Sequence, residues 1–130
     1  MRHSEAAQQK FAKLSAAGHL AVCTIIVGEL LYSARNADEF LRQWAEYETL
    51  HLMDTGPDCE RRALHVMRPL AMRGQHRGVS VPDLLIAATA EMRGAILLHY
   101  DSDFERVAEV TGQPHEWIVP RGERHGRADP

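Results

Sequence analysis

The sequence predicts an α/β domain whose short, mostly parallel sheet is flanked by helices. Three observations lead there. Apolar runs of strand length, at residues 20–24 and 95–100, alternate with segments of helical periodicity. That alternation is what a parallel sheet covered by helices requires, because each parallel connection must cross over the sheet. The chain also has 130 residues, 45% hydrophobic and 25% charged, enough to bury one core without a disulfide scaffold.

The elements follow in order. Ser4 is placed to cap a first helix, with Ala7, Phe11 and Leu14 on one face and Gly18 at its left-handed end. Leu20-Ala21-Val22-Cys23-Thr24 reads as a buried strand. Residues 26–34 read as a helix carrying Glu29. Asn36 opens the next, with Glu39 three residues on as a capping box and Phe40, Trp44 and Tyr47 as its apolar stripe. Residues 50–53 form a second short strand. Gly56-Pro57 breaks the chain, and Ala63, Met67 and Leu70 mark a helix that Pro69 should kink or interrupt. Gly74 and Gly78 flank a loop. Pro82 suits the first position of an apolar helix that Gly94 closes. Residues 95–100 are the clearest strand, a helix starts near Asp103, and residues 116–119 are the last strand. Residues 120–130 hold no apolar side chain larger than Ala128 and read as a flexible tail.

Composition excludes several classes. The formal charge of −3 and pI near 6.2 argue against gripping nucleic acid through a broad basic surface. Cys23 and Cys59 are not spaced as zinc ligands and read as buried thiols. There is no HExxH, GxGxxG or P-loop. The first ten residues have no apolar signal core, and the longest apolar stretch, 20–27, is too short for a bilayer. A cytoplasmic protein with no membrane segment is expected.

Four acids need explaining: Glu29, Asp83, Asp101 and Asp103. Each follows an apolar segment or lies within one. Singly, each has a structural role open to it. Asp83 can face a helix dipole, Asp103 can cap the helix beginning at Phe104, and Glu29 can face water. Jointly, they read as one acidic cleft, since parallel α/β folds place their chemistry outside the carboxyl ends of the strands. Two carboxylates about 5 Å apart repel by roughly 3 kcal/mol at an effective dielectric near 20. Three or four require a raised pKa or a cation, and all-oxygen ligands suit Mg²⁺ or Mn²⁺.

The segment Val81-Pro82-Asp83-Leu84-Leu85-Ile86-Ala87-Ala88-Thr89-Ala90, with Leu97-Leu98-His99-Tyr100-Asp101-Ser102-Asp103-Phe104-Glu105-Arg106-Val107-Ala108, closely resembles the C-terminal half of the VapC-family PIN-domain ribonuclease toxins. Residues 20–30, ending in Gly28-Glu29-Leu30, resemble their second acidic motif. The resemblance covers most of residues 2–119. It implies a PIN-like three-layer sandwich and a Mg²⁺-dependent (or Mn²⁺-dependent) endoribonuclease of a type II toxin–antitoxin pair, with a VapB-like antitoxin and a homodimer. Glu29 matches the second family acid, Asp83 the third, and Asp101 or Asp103 the fourth. Asp83 and Asp101 are then the expected metal ligands and Asp103 a supporting acid.

The family's first strand, bearing an aspartate, has no counterpart here, since no Asp precedes Asp38. Residues 1–119 therefore read as a PIN-like domain lacking that strand, with about 10–15 further residues expected upstream. The alternative is an impaired PIN-like protein that binds a basic antitoxin as a decoy. The strand followed by Asp101-Ser102-Asp103 also fits a phosphatase of the haloacid dehalogenase type, but that motif opens its domain, whereas here fewer than thirty residues follow. RNA contacts are expected from arginine: Arg77 first, because its loop leads into Asp83, then Arg73, with Arg93 at the far end of the same helix.

Overall fold

The computed structural model of the protein describes residues 21–99 and 102–117. Along them run β1 (Ala21–Cys23), α1 (Thr24–Tyr32), α2 (Ala37–Tyr47), β2 (His51–Met53), α3 (Pro57–Met72), α4 (Val81–Met92), β3 (Leu97–His99), α5 (Ser102–Thr111) and β4 (His115–Trp117). The expected first helix, the tail at 120–130 and Asp101 lie outside the described residues.

The strands pair in parallel, as the alternating pattern requires. β1 sets Ala21, Val22 and Cys23 opposite His51, Leu52 and Met53. β3 sets Leu97, Leu98 and His99 opposite His115, Glu116 and Trp117. Helices α1 and α2 make the first crossover and α5 the second. Among the described residues these are two separate two-stranded sheets, and helix packing relates them.

The centre of that packing is α4. Leu84, Ile86, Ala87, Ala88, Thr89 and Ala90 are all buried; a helix apolar all round belongs inside. It contacts α1, α3, α5 and β3. Its small residues let neighbours approach, and the core closes with Cys23, Ala63, Val66, Leu70, Val79 and Val107. Cys23 and Cys59 are buried free thiols, as expected.

The ends of α3 and α4 follow local chemistry. Each finishes with a glycine at positive φ, Gly74 at 69° and Gly94 at 73°. In each the paired return bonds of a Schellman turn form, Gln75 N–H to Leu70 O at 2.8 Å and Ala95 N–H to Ala90 O at 2.8 Å. Ser80 caps α4, its Oγ accepting from Asp83 N–H at 3.2 Å, so Pro82 occupies the second position rather than the first.

Three expectations are corrected. Pro69 does not interrupt its helix, since α3 runs on to Met72. A proline there removes the bond to the carbonyl of His65, but both residues are exposed, on a face open to solvent that can satisfy it. The capping box at α2 is also half formed. Asn36 Oδ1 accepts from Glu39 N–H at 2.9 Å, whereas Glu39 turns its carboxylate to Arg35, accepting from its backbone N–H at 2.7 Å and its guanidinium at 3.1 Å. These bonds hold Glu39 below the usual carboxylate range. The stripe on α2 is not buried either. Phe40 stacks on Trp44, which meets Tyr47 edge-on, yet Phe40 and Trp44 stay 37% and 40% exposed.

Two guanidinium forks strap α3 to α4. Arg62 donates to both carboxylate oxygens of Glu91 at 2.7 and 3.0 Å. Arg93 donates to both of Asp58 at 2.8 and 2.9 Å and, through Nε, to Asp54 O at 2.8 Å. Between them Thr89 Oγ1 donates to Leu85 O at 2.7 Å and lies 2.8 Å from Thr55 Oγ1. On the α5 side the buried Gln113 donates from Nε2 to Ala87 O at 2.9 Å.

Candidate active site

The described acids come from three helices, two of which pack on the third. Glu29 is exposed on α1, whose Ile25 and Ile26 pack against the core. Asp83 is half-buried in the first turn of α4. Asp103 is half-buried in the first turn of α5. Both α1 and α5 contact α4, so topology sets all three around that one helix. Among the described residues, no three His, Cys, Asp or Glu side chains gather closely enough to hold a metal ion. Asp101, the expected partner of Asp83, lies outside those residues.

The local sequence explains each placement. The turn from Gly74 to Ser80 reverses the chain, and the Ser80 cap fixes the first turn of α4, which carries Asp83 where a carboxylate faces the positive end of the helix. Helix α5 begins at Ser102, not Phe104. Asp103 is thus inside the first turn instead of capping it, and it pairs with Arg106 one turn on.

The expected phosphate contacts separate. Arg77 is exposed in the turn before α4 and forms no ion pair among the described residues. Arg73 lies 3.5 Å from Glu109 of α5, both about half exposed, so its charge is partly answered. Arg93 is spent on Asp58 and cannot serve a ligand. The hydrogen bond from Arg93 pulls the Asp58 carboxyl below its usual range, and the same bond raises Arg93. Sequence reasoning missed this strap and the Arg62–Glu91 strap, because their partners are 35 and 29 residues apart.

With the geometry in place, the chain can be set beside known proteins. The PIN domain family matches residues 2–110. Ribonuclease VapC51 of Mycobacterium tuberculosis is 47% identical over 109 residues, covering 84% of this chain and 79% of that protein. The chain belongs to the VapC family of PIN domains. Ribonuclease VapC18 of the same organism is 43% identical over 120 residues, with coverage of 91% and 87%. The DNA-bound VapBC of Salmonella typhimurium superposes with a TM-score of 0.68 at 22% identity, covering 89% of this chain and 86% of that one. This VapC-family chain therefore has the α/β PIN-like fold expected of its sequence.

Proposed function

We propose that this VapC-family chain is the ribonuclease toxin of a toxin–antitoxin pair, hydrolysing an RNA phosphodiester with Mg²⁺ or Mn²⁺. The observation that carries the reading is the placement of Glu29, Asp83 and Asp103 on α4 and the two helices packed against it, joined to the ribonuclease names of its relatives. The donor set fits a hard cation, since it offers only carboxylate oxygens. Asp83 and Asp101 would hold the ion. When bound, it supplies charge stabilisation at the phosphoryl group and activates water.

The chain's own residues do the rest. Glu29, exposed on α1, orients the attacking water. Asp83, fixed by its helix cap, presents its carboxylate from the first turn of α4. Asp103, tied to Arg106, steadies the start of α5 beside it. Arg77 and, less freely, Arg73 receive phosphate oxygens from the RNA.

A VapB-like antitoxin is the proposed partner, supported by the likeness to a VapBC assembly. The half-exposed face of α2, with Phe40, Leu41 and Trp44, and a cavity of about 350 Å³ at its start, lined by Arg35, Asn36, Phe40 and Leu41, offer apolar surface for it. A homodimer and a cytoplasmic setting complete the proposal; among the described residues no helix is long and apolar enough to cross a membrane.

Cleavage of total RNA by the purified chain tests the reading. Activity with Mg²⁺ that EDTA abolishes and excess Mg²⁺ restores is the expected result. Binding of a basic antitoxin peptide with no cleavage in any divalent ion would overturn it in favour of a decoy.

A further inference from the structure

We infer that the outer face of α3 is a phosphate track that holds RNA beyond the cleavage point; the inference rests on the ribonuclease reading. Residues 57–78 carry five arginines against only Asp58 and Glu60, in a chain whose formal charge is −3. Two of the five are used by the fold, Arg62 by Glu91 and Arg73, at longer range, by Glu109. Asp58 is taken by Arg93. Arg61, Arg68 and Arg77 remain exposed and form no ion pair among the described residues.

Their placement follows from helical periodicity. Cys59, Ala63, Val66 and Leu70 turn inward, so Arg61, His65, Arg68 and Met72, at i, i+4, i+7 and i+11, share the opposite face. All four are exposed, Met72 by 83%. Arg61 and Arg68 stand about 10.5 Å apart along the axis, far enough to meet different phosphates of one strand. The row is directional. It runs down α3 to the Gly74 turn, past His76 and Arg77, and ends where the Ser80 cap begins the helix bearing Asp83.

Charge complementarity selects a polyanion as the occupant, and continuity with the Asp83 turn selects RNA. A narrow row of unpaired guanidinium groups is sequence-indifferent and salt-sensitive, as backbone contacts are. An RNA spanning both track and site is held by both. An oligonucleotide long enough only for the site gains nothing from Arg61 or Arg68.

The test is the double variant Arg61→Gln, Arg68→Gln in the full chain, with Arg61→Lys, Arg68→Lys as the charge-retaining control. Both residues are exposed, and matched melting curves verify the fold. Binding to a long RNA in EDTA should weaken about tenfold or more near 0.1 M salt, and the slope of log affinity against log salt should fall by about 1.4 to 2. With Mg²⁺, KM for long RNA should rise with kcat kept, cleavage of a short oligonucleotide should not change, and the lysine pair should restore binding. Unchanged affinity and slope, in a protein that still cleaves RNA, would overturn the track and leave the ribonuclease reading intact. Equal losses on long and short RNA, or equal affinity for duplex DNA or an acidic peptide, would also overturn it. A parent chain that neither binds nor cleaves RNA would remove the ribonuclease reading and the track with it.

Discussion

A single substitution separates the chemical role proposed for Asp83 from its structural one. Asp83→Asn keeps the side chain's size and the backbone N–H that donates to Ser80 Oγ at 3.2 Å; it removes the charge. A carboxylate in the first turn stabilises a helix by about 0.3–1 kcal/mol. For a chain of this size that corresponds to a fall in Tm of about 1–5 °C. If the carboxylate sits in the reacting centre, its loss should instead lower kcat by at least about 100-fold, the scale on which a group stabilising the transition state is felt. Ser80→Ala makes the converse change. It deletes the cap, at a cost of about 0.5–2 kcal/mol, near the lower end because Ser80 is exposed, and leaves every acid in place. Thermal melts by circular dichroism and single-turnover cleavage of a labelled RNA read the two variants together. Asp83→Asn should be folded and inactive, and Ser80→Ala less stable but active. An Asp83→Asn protein that cleaves as fast as the parent, or one that cannot fold, would refute the assignment.

Two further outcomes concern the scaffold. The Asp58 carboxyl is pulled below its ordinary value of 3.8 by Arg93, so its clamp contributes fully above that value and is lost as pH falls through the depressed one. Asp58→Asn should thus be the less stable protein at neutral pH, and its melting temperature should fall less than the parent's between about pH 4 and 2; parallel falls would show that the strap contributes nothing. Leu70, with no exposed surface, belongs to the buried core cluster that α3 and α4 share, and Leu70→Ala should cost about 2–5 kcal/mol in urea unfolding; a loss well under that would mean the site collapses to fill the space.

What the sequence made legible is what neighbouring residues decide. Asn36 and Gly94 each act within four residues, and both stand at helix ends as read; Gly74, read only as flanking a loop, also ends a helix. The apolar run at 84–90 declared α4 before any coordinates did. Pro69 misled because its effect depends on whether the orphaned carbonyl meets water, which only the fold decides. The Phe40–Trp44–Tyr47 stripe has the right period for burial, yet period cannot say how much surface the neighbouring helix covers. Arg93 looked available for phosphate because its acceptor, Asp58, is distant in sequence. For the site, the four acids were legible as charges in apolar settings and through the family resemblance. Spacing alone cannot bring Glu29, Asp83 and Asp103 together, because their separation depends on how α1 and α5 stack on α4.

The two arginine forks and the buried side chains between α3 and α4 carry a last consequence. Strands of three residues have few ladder bonds with which to resist opening, whereas this helix pair is pinned at its surface and filled within. Amide hydrogens in the middle of α3 and α4 should therefore be among the last to exchange with solvent, and the strand pairs should come and go upon a core that outlasts them. A protein arranged in this way can let its sheet edges breathe without surrendering the helix that presents Asp83.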